Sequence, residues 1–221
     1  MRGANTTAFT DYKQAREPLI SAIGDYCSYC ETPCQTAVEH VLPWEGKHAA
    51  LELAWKNFLL ACNSCNSHKR NRQDYRPVAD AAQARAKYLW PDVDNTAMAF
   101  VYDPTNRVNV RPGLAPPLDA VAERTRKVVG LDVNSGLRWR RRQDAWTEAR
   151  LSATNLVKCD TPEMRDQIAR TAAGRGFWSV WRVVFAADAD MLKRLNGAFA
   201  GTDPSSFDPT FQLVNRPGGQ L

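Results

Sequence analysis

The sequence predicts an α+β fold, mainly helical: a small cysteine-stapled core, then a larger helical region carrying one short hairpin. Three observations predict it. Four of the six cysteines form two Cys-x-x-Cys pairs, Cys27/Cys30 and Cys62/Cys65, with 31 residues between them. Only short runs, around Glu39 and Val101, have the apolar pattern of strands. Most of the chain beyond Pro77 reads as helical segments bounded by Pro, Gly and Thr.

The elements follow in order. Residues 11–17 read as a lead-in helix stopped by Pro18. Residues 38–44 read as a strand or hairpin arm, and the apolar stretch 51–61 leads into the second cysteine pair. After Cys65 the chain looks helical and basic. Residues 78–88 form an alanine-rich helix ended by Trp90-Pro91. A turn at 92–95 precedes a strand over 98–102, with 107–110 as its hairpin partner. Residues 118–129 are helical, with Gly130 as the stop. The helix over 137–157 carries the densest basic run, Arg138 to Arg142. Thr161 caps a helix that starts at Pro162. Residues 177–185 are a buried strand or a buried helix, and periodicity does not arbitrate. Residues 190–199 are helical, and the turn-rich tail from Gly201 wraps the surface. These segments divide as a lead-in over 1–19, a core over 20–76 and a helical region over 77–221.

Composition bounds the rest. A chain of 221 residues is one domain, or one with a small partner. With 44% hydrophobic and 24% charged residues it is ordinary globular protein, neither collagen-like nor wholly disordered. No apolar run is long enough for a transmembrane helix, so no membrane partner is expected. The first twelve residues lack the basic start and apolar core of a secretory signal, which makes the cytoplasm the expected address. A net charge of +5 leans toward a polyanionic partner without deciding one.

In a Cys-x-x-Cys pair the tight turn aims both sulfurs at one point. Two such turns complete a tetrahedral sulfur shell with Zn–S distances of about 2.3 Å. A redox Cys-x-x-Cys would follow a strand in a βαβ pattern, and that pattern is missing. The expectation is a structural zinc on Cys27, Cys30, Cys62 and Cys65, stapling a segment too small to bury a core of its own. Cys34 and Cys159 have no such spacing, and Cys34 reads as a packed or exposed spare thiol.

Glu39 and His40 lie side by side between the two pairs. A carboxylate can hold a hard divalent ion while a neutral imidazole deprotonates a water. Adjacent strand residues point to opposite faces, so a shared site needs the strand to distort or end there. On the arginine-rich helix, Trp139, Arg142 and Trp146 can share a face. Such a face could track a phosphate backbone, or the tryptophans could be core and the arginines solvated. Both readings stay open.

The stretch over residues 20–72 resembles the HNH endonucleases, the ββα-metal nucleases. The residues that carry the resemblance are Cys27, Cys30 and Glu31, then Glu39-His40-Val41-Leu42-Pro43, then Asn57, Cys62, Cys65, Asn66 and Lys69. The resemblance implies a zinc-stapled ββα-metal (HNH) core. It places His40 at the general base and Glu39 at the preceding acid, a metal ligand that is more often aspartate. Asn57 falls at the middle asparagine, which braces the loop carrying the base. Asn66 falls where many members have histidine and where phage Holliday-junction resolvases use asparagine as a ligand. It therefore implies one Mg²⁺ or Mn²⁺ ion on Glu39 and Asn66, both hard oxygen donors. The implied reaction is hydrolysis of DNA, leaving 5′-phosphate and 3′-hydroxyl ends. His68, Lys69, Arg70 and Arg72, with Arg140 and Arg141, are the expected nucleic-acid contacts. The layout, with Trp90-Pro91-Asp92 and Gly201-Thr202, also resembles the nuclease subunit of the Septu antiphage system. That resemblance implies a role in defence beside an ATPase partner. The competing reading is a zinc-stapled nucleic-acid-binding module without catalysis.

Overall fold

A computed structural model describes residues 3–5, 7–45, 48–71 and 81–221. Strand β1 (Ala37–His40) pairs antiparallel with β2 (Phe58–Ala61), His40 opposite Phe58 and Ala37 opposite Ala61. Cys62 follows β2 directly, and helix α2 (Asn63–Asn71) starts at the next residue. This is a ββα unit. Both faces of its hairpin are covered, which is why all four residues of β2 are buried. Val38, Phe58 and Leu60 pack on Phe9, Ala15 and Leu19, while Leu59 and Ala61 enter the larger core.

The first face is covered by the N-terminal segment. A 3₁₀ turn (Tyr12–Ala15) is opened by a capping box between Asp11 and Gln14, and runs into α1 (Arg16–Ile23). The stop expected at Pro18 is not there. Pro18 is the third residue of α1, within the first turn, where no backbone N–H has an intrahelical partner to lose.

The larger region begins, among the described residues, with α3 (Ala81–Ala86) and α4 (Thr96–Ala99). Strand β3 (Phe100–Tyr102) pairs antiparallel with β4 (Val108–Val110), so the strand expected over 98–102 is shorter and entered from a helical turn. Helices α5 (Leu118–Val128), α6 (Gly136–Lys158), α7 (Pro162–Arg175), α8 (Trp178–Val184) and α9 (Ala189–Ala198) complete it. Helices hold about half of the chain. Thr161 caps α7, its Oγ1 accepting from the Met164 N–H at 3.2 Å. The ambiguous stretch 177–185 is the helix α8, entered through Phe177 in the left-handed region at φ 58°.

One apolar cluster joins the two regions, running from the cysteine pairs through Trp90, Trp146 and Trp181 to Leu221. The boundary expected near residue 77 lies outside the described residues. The tail does more than wrap the surface. Leu221 is buried, its carbonyl accepts from the Asn95 N–H at 2.8 Å, and buried Arg216 pairs with Asp203 at 2.5 Å. No described helix is long and apolar enough to cross a membrane.

Candidate active site and metal centre

The turns after Tyr26 and at the start of α2 bring Cys27, Cys30, Cys62 and Cys65 together. Their four sulfurs lie within 4.8 Å of one another, with Cys30 and Cys62 3.8 Å apart. Cys27, Cys30 and Cys65 are fully buried. Four soft donors in one buried cluster fit a structural tetrahedral zinc. Cys34 is half-buried and Cys159 exposed, and neither belongs to the set.

Sequence reasoning missed the group that braces this cluster. Arg138, at the start of α6, donates from Nη1 to Cys65 Sγ at 3.1 Å and from its other guanidinium nitrogen to the Gly130 carbonyl. A guanidinium against a thiolate offsets the charge of a four-cysteine site. Arg142, one turn on, is also buried and grips the side chain and carbonyl of Asn106 at 2.9 and 2.8 Å. The i, i+4 spacing of the two arginines could have signalled an inward face, but the density of the run pointed outward. Trp146 is buried beside them, so this face of α6 is core and not a phosphate track.

A second feature lies at the end of the hairpin, where pairing stops at His40. A cleft of about 530 Å³ opens there, lined by Tyr12, Glu39, His40, Trp44, Asn66 and Arg70 among others. Glu39 and His40 belong to opposite faces of β1, as strand geometry requires. Both reach the cleft because it opens at the strand's last residue.

His40 is half-buried. Its ring meets Tyr12 edge-on at 4.8 Å and Phe58 at 5.2 Å between centroids. Nε2 lies 2.8 Å from the Glu52 carbonyl. A carbonyl only accepts, so Nε2 carries the proton and Nδ1 is left as the ring's acceptor. Burial holds the imidazole below its ordinary pKa, and the bond to Glu52 and the charge of Glu39 oppose this less strongly.

Asn57 is buried, 2% exposed, and is not among the residues that line the cleft. It accepts from the Leu42 N–H and donates to the Leu42 carbonyl, both at 2.9 Å, and donates to the Leu51 carbonyl at 3.3 Å. It thereby ties the segment leaving His40 to the segment entering β2.

Glu39 is 4% exposed. Its Oε2 accepts from the Tyr29 hydroxyl at 2.6 Å, and its Oε1 pairs with the Lys69 ammonium. Each carboxylate oxygen retains a lone pair. Together with the half-buried Asn66, the donor set is hard oxygen and fits Mg²⁺ or Mn²⁺ in chemistry. Its charge, however, is already balanced by Lys69.

The expected nucleic-acid contacts separate. Arg70 is exposed and lines the cleft. Lys69 is 2% exposed, and its Nζ bonds Glu39 and the His40 carbonyl, so it is an internal cation and not a surface contact. Burial lowers its pKa, and the Glu39 carboxylate works against that. His68 is outside the cleft. Its Nδ1 donates to the Ser64 carbonyl at 2.8 Å, and its ring packs under Gly130. Arg140 and Arg141 are exposed on α6, with Arg141 donating to the Pro33 carbonyl at 3.2 Å. Arg72 lies outside the described residues. Tyr12, Tyr29 and Trp44 join the site without any spacing in the sequence that announces them.

The family model of the HNH endonucleases matches residues 27–72. No curated protein matches the chain, and neither does any solved structure. The matched segment, about a fifth of the chain, holds both cysteine pairs, Glu39, His40, Asn57 and Asn66.

Proposed function

We propose that the protein is a metal-dependent endonuclease that hydrolyses DNA in the cleft at the end of the β1–β2 hairpin, with His40 as general base. The observation that carries this reading is the convergence of His40, Glu39 and Asn66 on one cleft beside the four-thiol cluster. The Glu52 carbonyl fixes the tautomer, so Nδ1 of His40 takes the proton from the attacking water. Burial keeps the ring neutral and ready to accept it. Asn57 holds the His40 segment in register. Glu39 and Asn66 would hold a Mg²⁺ or Mn²⁺ ion, which when bound supplies charge stabilisation at the scissile phosphate and the leaving 3′-oxygen. Exposed Arg70 gives the rim a positive charge for a phosphate backbone, and Arg140 and Arg141 extend the basic surface. The zinc is structural and takes no part in the chemistry.

Cleavage of plasmid DNA by zinc-loaded protein, stopped by EDTA and restored by Mg²⁺ or Mn²⁺, tests the reading. Absence of any cleavage under either ion would count against it. A second reading is favoured by one observation. Because Lys69 already balances Glu39, a non-catalytic nucleic-acid-binding module with the same zinc staple fits the resting charge. Binding that persists in EDTA with no cleavage in Mn²⁺ would select it. A role in antiphage defence beside an ATPase partner rests on the layout resemblance alone.

A further inference from the structure

We propose that Lys69 is an internal counter-ion that competes with the divalent ion for Glu39, so that the site takes up its metal together with the phosphate of its substrate. The inference rests on the nuclease reading above. Lys69 lies three residues after Asn66 on α2, so the two come up on one side of the helix. Its Nζ binds Glu39 Oε1 and the carbonyl of His40, while the Tyr29 hydroxyl holds the other carboxylate oxygen. The Trp90 ring lies 5.1 Å from the same ammonium. The pair is nearly buried in the wall of the cleft, at 4% and 2% exposure.

Affinity for a hard cation follows the negative charge of its ligands. Here Glu39 contributes one negative charge, Asn66 none, and Lys69 cancels the first, while Glu45 and Arg70, which also line the cleft, offset each other in net charge. An incoming divalent ion also meets the ammonium as a like charge in a poorly screened setting. The free site therefore binds its metal weakly. A nucleic-acid phosphate in the cleft restores the missing negative charge, and metal and substrate load cooperatively. Lys69 is a positioning residue by this account: through Glu39 it sets when the metal enters, and through the His40 carbonyl it holds the base until then.

The test is calorimetric titration of Mn²⁺ into zinc-loaded wild type, Lys69→Met and Glu39→Gln. Removing the competing cation should tighten Mn²⁺ binding by about tenfold, and Glu39→Gln should abolish it. A salt bridge with a purely structural role would give lower stability and no gain in affinity. Unchanged or weaker Mn²⁺ binding by a folded Lys69→Met protein overturns the proposal. Since that variant leaves a buried carboxylate unpaired, a second measurement uses the wild type. The ¹⁵N signal of the Lys69 ammonium should move on titration with Mg²⁺ in the presence of saturating inorganic phosphate, and a signal that stays put under those conditions overturns the proposal as well. If wild type cleaves DNA while Lys69→Met gains no affinity, only this inference falls. If no form binds Mn²⁺ or cleaves, the nuclease reading falls with it.

Discussion

The Asn57 side chain grips Leu42 from both sides, accepting from its N–H and donating to its carbonyl at 2.9 Å. A backbone segment in a buried loop needs partners for both groups, and here one side chain supplies them. Asn57→Ala leaves both without a partner, at about 1–3 kcal/mol each. The expected result is a loss of several kcal/mol in urea unfolding and a fall in cleavage as the His40 segment loosens. Asn57→Asp keeps the acceptor and loses the donor, so its loss should be intermediate. An Asn57→Ala protein as stable as wild type would contradict this role.

Arg138 ties helix α6 to the thiol cluster through Cys65 at 3.1 Å. Replacing such a partner typically costs about 10–100-fold in metal affinity. Arg138→Met should therefore release zinc faster to a chelator, followed with a colorimetric zinc indicator. Stripping zinc from the wild type should lower its thermal midpoint, because the four thiols join the two ends of the ββα unit. Equal release rates in variant and wild type would separate Arg138 from the metal.

His68 and Gly130 form a structural contact outside the cleft. Gly130 sits at φ +69°, and a Cβ there would meet the His68 ring at 2.7 Å. Gly130→Ala should cost about 1 kcal/mol or more from the backbone alone. His68→Ala should leave kcat/KM unchanged while lowering stability. A His68→Ala protein that loses cleavage but keeps its stability would return His68 to the site.

The pH profile reports the base. Burial depresses the His40 pKa, so the neutral, proton-accepting form persists to lower pH than in a free imidazole. Activity should be fully present above the depressed value and lost as pH falls through it. The acid limb of kcat/KM against pH should thus inflect below about 6.5. An inflection at or above that value would mean that another group limits the rate.

The four-cysteine cluster was legible because its spacing is a local pattern with a chemical reason, whereas Glu39, His40, Asn57 and Asn66 were singled out through the family resemblance. The helices were legible where caps and stops mark them, as at Thr161 and Gly130. Pro18 misled because a proline breaks a helix only beyond its first turn. Lys69 misled because its neighbours are polar and basic, and burial of an ammonium depends on a carboxylate thirty residues away. Arg138 and Arg142 were lost inside a run of charge, since partners at Cys65 and Asn106 are tertiary facts. Tyr12 reaches His40 only through the fold of the N-terminal segment over the hairpin.

On the proposed function, His40 with a divalent ion carries out phosphodiester hydrolysis. The most direct measurement is plasmid cleavage by zinc-loaded wild type and His40→Ala, side by side in Mg²⁺, Mn²⁺ and EDTA, with circular dichroism on both. Wild type should cleave in Mg²⁺ or Mn²⁺ and not in EDTA, and a folded His40→Ala should not cleave under any of the three conditions. Undiminished cleavage by His40→Ala would contradict this role.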